Sequence, residues 1–406
     1  MGKFTVNGGR PLVGSVRVSG SKNAALPMIF ATVITGGVSR FYNLPDITDV
    51  SDALGIIKEL GAKVWREGEV TFIDTRQMRY TSPGLSRVRK IRASTYLIGA
   101  CLARFRKAEI LPFGGCSFSH RPIDMHLDAA VKFGAEIDGN TLKAKRLQPA
   151  EIIFRQPSVG ATVNSLILAA GIKGESRLIG AAKEPHIRAL ISYLQSAGAK
   201  ISESDGIITV QGGELHGGVG VIPGDMIEAG TYLAASLVTG GEVRVYGFDT
   251  RELSAFTSPL RFAGVIEELS EEGIILRGKP RREISVITGA YPVFATDLQP
   301  IFSTVLAVSR GGRIEEQVWR SRFGYLDELS KLGLSYSRDG NVARIFPSSI
   351  IPGRVIATDL RGGAAAVILA LLADGESEIS SGELVLRGYD SFVEKLRGIG
   401  AEVTYS

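Results

Sequence analysis

Only two cysteines, Cys101 and Cys116, occur in 406 residues, which excludes a disulfide-stapled secreted scaffold and points to a reducing compartment, the cytoplasm. The uncharged stretches Ala24 to Val38 and Gly362 to Ala373 fall short of the ~18 to 20 apolar residues that a bilayer span requires. They read as buried helices. The first residues, MGKFTVNGGRPLVGSV, alternate polar and apolar and lack the apolar core of a signal peptide, so no cleaved leader is expected. No block of lysine and arginine interrupts the chain either. Its 47 basic and 42 acidic side chains are spread along it for a formal charge of +5, which favours a small anionic ligand over a nucleic-acid track. At 44% hydrophobic and 22% charged, the chain is long enough for two to four domains with proper cores.

What the sequence does have is a repeat. A short tag recurs as ELGAKV, KFGAEI, SAGAKI, RFAGVI, KLGLSY and GIGAEV, with its glycine at 61, 134, 198, 264, 333 and 400. The intervals are 73, 64, 66, 69 and 67 residues. Each tag ends an amphipathic stretch, such as Ser51 to Leu60, and precedes a β-prone run, as a glycine at a helix C-terminus does. Some thirty to forty residues upstream of each tag, a more apolar helix pattern begins near Lys22, Arg92, Ala161, Glu228, Asp297 and Asp359. Six α/β units follow, in two groups of three. The strand-like segment before Lys22 has no unit of its own and must complete one made by the C-terminal end. The chain therefore crosses between two domains twice, near Lys22 and within the glycine-rich run Gly212 to Pro223. The expected division is 22–222 against 1–21 plus 223–406.

The apolar helices read as core; their first turns carry the functional signal. SGSKN, PSVGATVN, PGDMIEAG, ATDLQ and ATDLRGG place small or capping residues where backbone N–H groups and the helix dipole attract phosphates and carboxylates. Lys22, Arg92, Arg121, Arg361 and Arg387 stand at comparable places in their units, as clamps on a multiply anionic substrate would. Asp297 and Asp359, in TDLQ and TDLR, fit N-terminal caps, and a carboxylate facing such cations also suits a base for a substrate hydroxyl. The densest cluster is GGCSFSHRPIDMH, Gly114 to His126. There Cys116 sits among cations that favour a reactive thiol, whereas Cys101, in ACLARF, reads as inert core. Cys116, His120, Asp124 and His126 match no zinc spacing, with only His186 and His216 elsewhere, so no metal is expected. A cysteine hydrolase built on Cys116 and His120 or His126 remains an alternative, as does an inactive binding protein.

SGSKNAALP, IRAS, GGCSFSHRPIDMHL, PSVGATVN, IEAGTYL, FATDLQ, ATDLRGGAA and RGYDSFVEKLRGIGA, in that order through all six units, resemble the enolpyruvyl transferase family. The resemblance is to the branch that acts on UDP-N-acetylglucosamine; the GNAGTAMR-type segment of the 5-enolpyruvylshikimate-3-phosphate branch has no counterpart here. It implies a fold of two inside-out α/β barrels, each of three repeated units. It also implies transfer of the enolpyruvyl group of phosphoenolpyruvate to the 3'-hydroxyl of UDP-N-acetylglucosamine, with phosphate released and no cofactor. By the resemblance Cys116 protonates the phosphoenolpyruvate methylene and Asp297 is the base on the sugar hydroxyl. Lys22, Arg121 and Arg387 hold phosphoenolpyruvate, with Arg92 and Arg361 beside them, and Asn23 and Asp359 lie around the sugar. The nucleotide falls on the backbone of Arg121, Pro122, Ile123 and Asp124 and of Ser158, Val159 and Gly160, with Val318 and Trp319 near its base. The chain departs from the family pattern at Ser117 to His120, at His186, at Met226, at Arg320 and Ser321, and at Leu386. A different nucleotide or sugar-nucleotide acceptor is therefore the alternative.

Overall fold

The six tag glycines all adopt left-handed backbone, with φ between +93° and +114°. At each, the glycine N–H bonds the carbonyl three residues back and the next N–H bonds the carbonyl five back, the paired closure of a Schellman motif. Gly61 N to Lys58 O (2.9 Å) with Ala62 N to Ile57 O (3.0 Å) is the first; Gly400 N to Arg397 O with Ala401 N to Leu396 O, both 3.0 Å, is the last. The helices so closed are Thr48–Glu59, Asp124–Lys132, Pro185–Ser196, Ser254–Phe262, Tyr325–Ser330 and Phe392–Gly398. A strand begins two residues past every glycine: Lys63–Glu67, Glu136–Asp138, Lys200–Ser204, Ile266–Ser270, Ser335–Asp339 and Glu402–Tyr405. The residue type chosen at six positions thus sets where six helices stop.

These features come from a computed structural model that describes residues 2–114 and 122–406. Cys116, Phe118, His120 and Arg121 lie outside the described residues.

The six apolar patterns form buried helices. Lys22–Ala31, Val159–Ala170, Met226–Thr239 and Leu360–Ala370 start directly as α-helix. The Leu97–Phe105 and Gln299–Ala307 helices are each preceded by a 3-10 turn, Arg92–Tyr96 and Thr296–Leu298. Every residue of Leu360–Ala370 is buried. Each leucine, isoleucine or valine so buried contributes roughly 1.5–3 kcal/mol of transfer free energy.

Residues 20–114 and 122–223 gather in one compact unit, residues 2–19 and 224–406 in another. In the first, Lys22–Ala31 packs on Leu97–Phe105, and that helix on Val159–Ala170. In the second, Met226–Thr239, Gln299–Ala307 and Leu360–Ala370 pack mutually, with the sheets around them. Among the described residues there are five four-stranded sheets and one three-stranded sheet. Each four-stranded sheet joins one parallel edge strand to three antiparallel ones.

The amino-terminal segment divides between two repeats. Lys3–Asn7 inserts between Glu376–Ser380 and Glu402–Tyr405, completing the last repeat with the start of the chain. Val13–Arg17 instead pairs in parallel with Glu242–Tyr246, the strand that follows the Met226–Thr239 helix. Its counterpart Val219–Val221 pairs with Val38–Tyr42, the strand that follows the Lys22–Ala31 helix. Elsewhere the edge strand pairs across its own helix, as Ile284–Ile287 does with Gly312–Glu315. The two edge strands that lead into the crossings have therefore traded places. Within their own units, the N–H of Ser21 donates to Pro223 O (2.7 Å) and that of Asp225 to Ser19 O (2.9 Å).

Candidate active site

The first unit carries Lys22, Asn23, Arg92, Pro122, Ile123, Asp124, Ser158, Val159 and Gly160. Lys22 is the first residue of its helix, and its ammonium pairs with Asp49 at 3.2 Å, with side-chain exposures of 13% and 5%. Ser21 precedes it without a side-chain cap, so the first N–H groups of that helix have no side-chain acceptor from their own cap residue. Pro27, inside the helix, lacks the N–H that would serve the carbonyl of Asn23. Arg92 opens a 3-10 turn, and Ile91 before it likewise supplies no cap.

Ser158 caps the Val159–Ala170 helix, its hydroxyl accepting from Ala161 N at 3.4 Å. Asp124 opens its own helix, and its carboxylate pairs with Arg155; that hydrogen bond holds it below the usual carboxylate range. One of the two histidines of the Gly114 to His126 cluster lies between these two helix starts. His126 is buried, and its imidazole faces Gly160 so closely that a Cβ there would stand 2.8 Å from Cε1 and Nε2. Asn164 Oδ1 accepts from Gly99 N (2.7 Å), so its amide N–H groups donate to Thr95 O (3.1 Å) and to His126 Nδ1 (2.6 Å). The imidazole is therefore neutral with its proton on Nε2, and burial, aided by Arg92, pushes its pKa down to about 4.

The second unit carries Asp297, Val318, Trp319, Asp359, Arg361 and Arg387. Here the matched motifs TDLQ and TDLR part ways. Asp359 caps the Leu360–Ala370 helix, accepting from Arg361 N (2.9 Å) and Gly362 N (3.1 Å). Asp297 does not cap. The residue matching Gly362 is Pro300, which has no N–H to give, and the α-helix starts only at Gln299. Asp297 instead lies in the 3-10 turn and spends its carboxylate on two arginines: Arg322 at 2.8 Å and Arg361 at 3.4 Å. The cap expectation thus holds for one aspartate and fails for the other.

Arg361 is 1% exposed and also lies 5.0 Å from the centre of the Tyr389 ring. Burial opposes its charge, yet Tyr389, Asp297 and Asp225 hold its pKa above the ordinary arginine value. Arg322 is equally deep, and Asp297, Asp359 and Glu316 outweigh the same penalty. Arg387 ends a 3-10 turn, Gly382–Arg387, and is half-buried. Val318 is 38% exposed on the turn after the Gly312–Glu315 strand.

Two buried carboxylates of this unit were not anticipated. Glu316, fully buried, accepts from the N–H groups of Val318 and Trp319. Glu228, in the first turn of the Met226–Thr239 helix, meets the Lys395 ammonium (2.5 Å) and the Ser19 N–H (3.0 Å). Burial lifts its pKa above the ordinary carboxylate range, against the pull of Lys395. Glu228 shows in the sequence as an acidic residue inside the apolar run MIEAGTYLAA, whereas Glu316, in the polar stretch RIEEQVW, carries no such signal.

Of the departures from the family pattern, Met226 and Leu386 pack against the hydrophobic core of their unit. Arg320 is exposed beside Trp319. His186 lies in the first turn of the Pro185–Ser196 helix. Cys101 is buried in the Leu97–Phe105 helix, and burial pushes its thiol up to about 12. Among the described residues no group of three or more His, Cys, Asp or Glu stands close enough to hold a metal ion, and no helix is long and apolar enough to cross a membrane.

Two inside-out α/β barrels, each of three repeats around a helical core, are the architecture of enolpyruvyl transferases. The chain belongs to the family described as EPSP synthase (3-phosphoshikimate 1-carboxyvinyltransferase), whose sequence profile matches residues 6–396. It is 37% identical to a UDP-N-acetylglucosamine 1-carboxyvinyltransferase of Halothermothrix orenii, over 99% of both chains. To UDP-N-acetylglucosamine 1-carboxyvinyltransferase 3 of Caldanaerobacter subterraneus subsp. tengcongensis it is 38% identical, again over 99% of both. Among solved structures, the enolpyruvyl transferase NikO from Streptomyces tendae superposes with a TM-score of 0.90 at 25% identity, covering 100% of this chain and 99% of that one. EPSP synthase from Acinetobacter baumannii, at 15% identity and a TM-score of 0.71 over all of both chains, shares the fold.

Proposed function

We propose that the chain transfers the enolpyruvyl group of phosphoenolpyruvate to the 3'-hydroxyl of UDP-N-acetylglucosamine and releases phosphate, the first committed step of peptidoglycan synthesis, in the cytoplasm. The observation that carries this reading is the end-to-end similarity, 37% over 99% of both chains, to enzymes named for that reaction. The twin functional domains are 22–222 and 1–21 with 223–406.

In the reaction the sugar hydroxyl oxygen adds to C2 of phosphoenolpyruvate while its proton passes to Asp297. Cys116 delivers a proton to C3, which becomes a methyl group. The tetrahedral adduct then loses phosphate and a methyl proton, and the vinyl ether forms. Lys22, Arg121 and Arg387, with Arg92 and Arg361, neutralise carboxylate and phosphate as charge shifts between them, which lowers the barrier because these groups are already oriented. Asn23 and Asp359 orient the sugar. The nucleotide lies on the backbone of residues 121–124 and of Ser158 to Gly160, where a helix start adds partial positive charge. Arg322 and Arg361 keep the Asp297 carboxylate in one orientation, so the acceptor proton meets a base that does not reorganise.

Purified protein should release phosphate from phosphoenolpyruvate only when UDP-N-acetylglucosamine is present, and Cys116→Ser should abolish most of that turnover. No release with this acceptor, but release with another in a panel of nucleotides and sugar nucleotides, would move the assignment to that acceptor. Release with none of them would end it.

A further inference from the structure

Glu316 sits at the end of the Gly312–Glu315 strand with no solvent exposure, and four donors converge on its two oxygens. Oε1 accepts from Thr288 Oγ1 (2.7 Å), Val318 N (2.9 Å) and Trp319 N (2.9 Å). Oε2 accepts from Thr296 Oγ1 (2.9 Å). Thr296 is the residue before Asp297, and its hydroxyl oxygen in turn accepts from Arg322 Nη1 (3.1 Å). The same Nη1 donates to Asp297 Oδ1 (2.8 Å), and the Arg322 N–H donates to Trp319 O (2.8 Å). A buried carboxylate satisfied this fully is rigid, because its donors fix it from three separate segments. One oxygen faces the Val318–Trp319 turn and the other faces the turn that carries the proposed base.

We propose that Glu316 is a positioning residue that couples the Val318–Trp319 turn to the Asp297 carboxylate, acting through Thr296 and Arg322. The inference rests on the proposed function, in which Val318 and Trp319 lie near the nucleotide base and Asp297 takes the sugar proton. A shift of the turn when a base settles on it is passed to Glu316, then to the hydroxyl of Thr296, and so to the guanidinium that orients Asp297. The polarity of the chain has one sense. Arg322 donates to Thr296 and Thr296 donates to Glu316, so the negative charge of Glu316 competes with Asp297 for the same guanidinium. Removing that charge frees Arg322 to bind the Asp297 anion more tightly, which makes Asp297 a weaker base. Among the described residues, the charged and titratable groups around Asp297 and its partners include Arg361, Asp359, Tyr389 and Asp225; none of these four is altered by the variants below.

The side chains allow the two branches to be cut separately. In Glu316→Gln the amide oxygen can keep the donors of the Val318–Trp319 turn while the amide nitrogen faces Thr296, reversing that bond. Thr296→Val removes the link outright and leaves Glu316 its three other donors, and Thr296→Ser restores the hydroxyl. The test is steady-state kinetics with varied UDP-N-acetylglucosamine, combined with a carbon-13 carboxylate titration of Asp297 in the free protein, assigned with Asp297→Asn. Glu316→Gln and Thr296→Val should each lower kcat about tenfold, since a displaced catalytic group costs rate more than affinity. KM should stay within about threefold, Thr296→Ser should recover the wild-type kcat, and Glu316→Gln should move the Asp297 titration to lower pH. A Thr296→Val protein with wild-type kcat and an unmoved Asp297 titration would overturn the coupling. So would a Glu316→Gln protein with raised KM alone, which would leave Glu316 as a brace for the turn. Wild-type protein that fails to use this acceptor refutes the proposed function instead, and the titration still decides the coupling without substrate.

Discussion

Replacing Asp297 separates what its carboxylate does for the fold from what it does for the reaction. Its two partners, Arg322 and Arg361, have side chains only 4% and 1% exposed, while Asp297 itself is 30% exposed. Removing one member of a buried ion pair costs about 3–5 kcal/mol because the other charge is left without compensation. Water can reach the place the carboxylate leaves and solvates part of the freed charge, so Asp297→Ala should cost about 2–3 kcal/mol. Asp297→Asn keeps an oxygen for Arg322 Nη1 and should cost about 1 kcal/mol. Turnover should fall by about 10²–10⁴ in both, since neither side chain can take up the proton. Asp359 is the internal control: asparagine caps as well as aspartate, so Asp359→Asn should change stability by only a few tenths of a kcal/mol, whereas Asp359→Ala should cost about 1–2 kcal/mol. Hydrogen exchange along the Leu360–Ala370 helix reads the stability of this region directly, and phosphate release reads the chemistry. Wild-type protection in that helix for Asp297→Ala would refute the buried-charge argument. Turnover by Asp297→Asn within tenfold of wild type would remove Asp297 as the base.

Two further outcomes follow from the same geometry. At Gly400 (φ +96°) nothing lies within 4 Å of an added Cβ, whereas at Gly333 (φ +93°) the Cβ would stand 2.2 Å from Ser349 O. Gly400→Ala should therefore cost only the backbone strain, about 1–2 kcal/mol, and Gly333→Ala clearly more, as urea unfolding would show; equal losses would contradict the clash. His126 takes up a proton near pH 6.5 when unfolded but only near pH 4 when folded. The folded state should be fully favoured above pH 6.5 and lose up to about 3 kcal/mol as the pH falls from there to 4, because the unfolded chain binds the proton first. His126→Gln should flatten that slope in unfolding measured between pH 4.5 and 7.5; an unchanged slope would assign it to other groups.

Much of the site was legible where a residue acts through its own backbone neighbourhood. Asp359, Ser158 and Lys22 stand at helix starts as their small or acidic neighbours suggest. The cap expectation fails at Asp297 although TDL is shared, because Pro300 has no N–H to give, a sign readable in the sequence that the second motif cannot close the same way. Glu316 and the His126–Asn164 pair were not legible at all. Thr296 and Thr288 lie 20 and 28 residues from Glu316, and Asn164 lies 38 from His126; no local pattern records which distant hydroxyl or amide will face a buried side chain.

The amino-acid order alone determined the period of the molecule, the six helix stops and the six apolar helices. These depend on short-range sterics: a left-handed φ is cheap for glycine, and an apolar face of helical spacing has to be buried. Only the tertiary structure decided that Lys3–Asn7 completes the last repeat, that Val13–Arg17 and Val219–Val221 trade sheets, and that Asp297 answers to Arg322 and Arg361. Strand pairing and buried charge are settled by which surfaces and donors meet after the chain has folded back on itself, and repeats of similar architecture leave that choice open until the whole core is assembled.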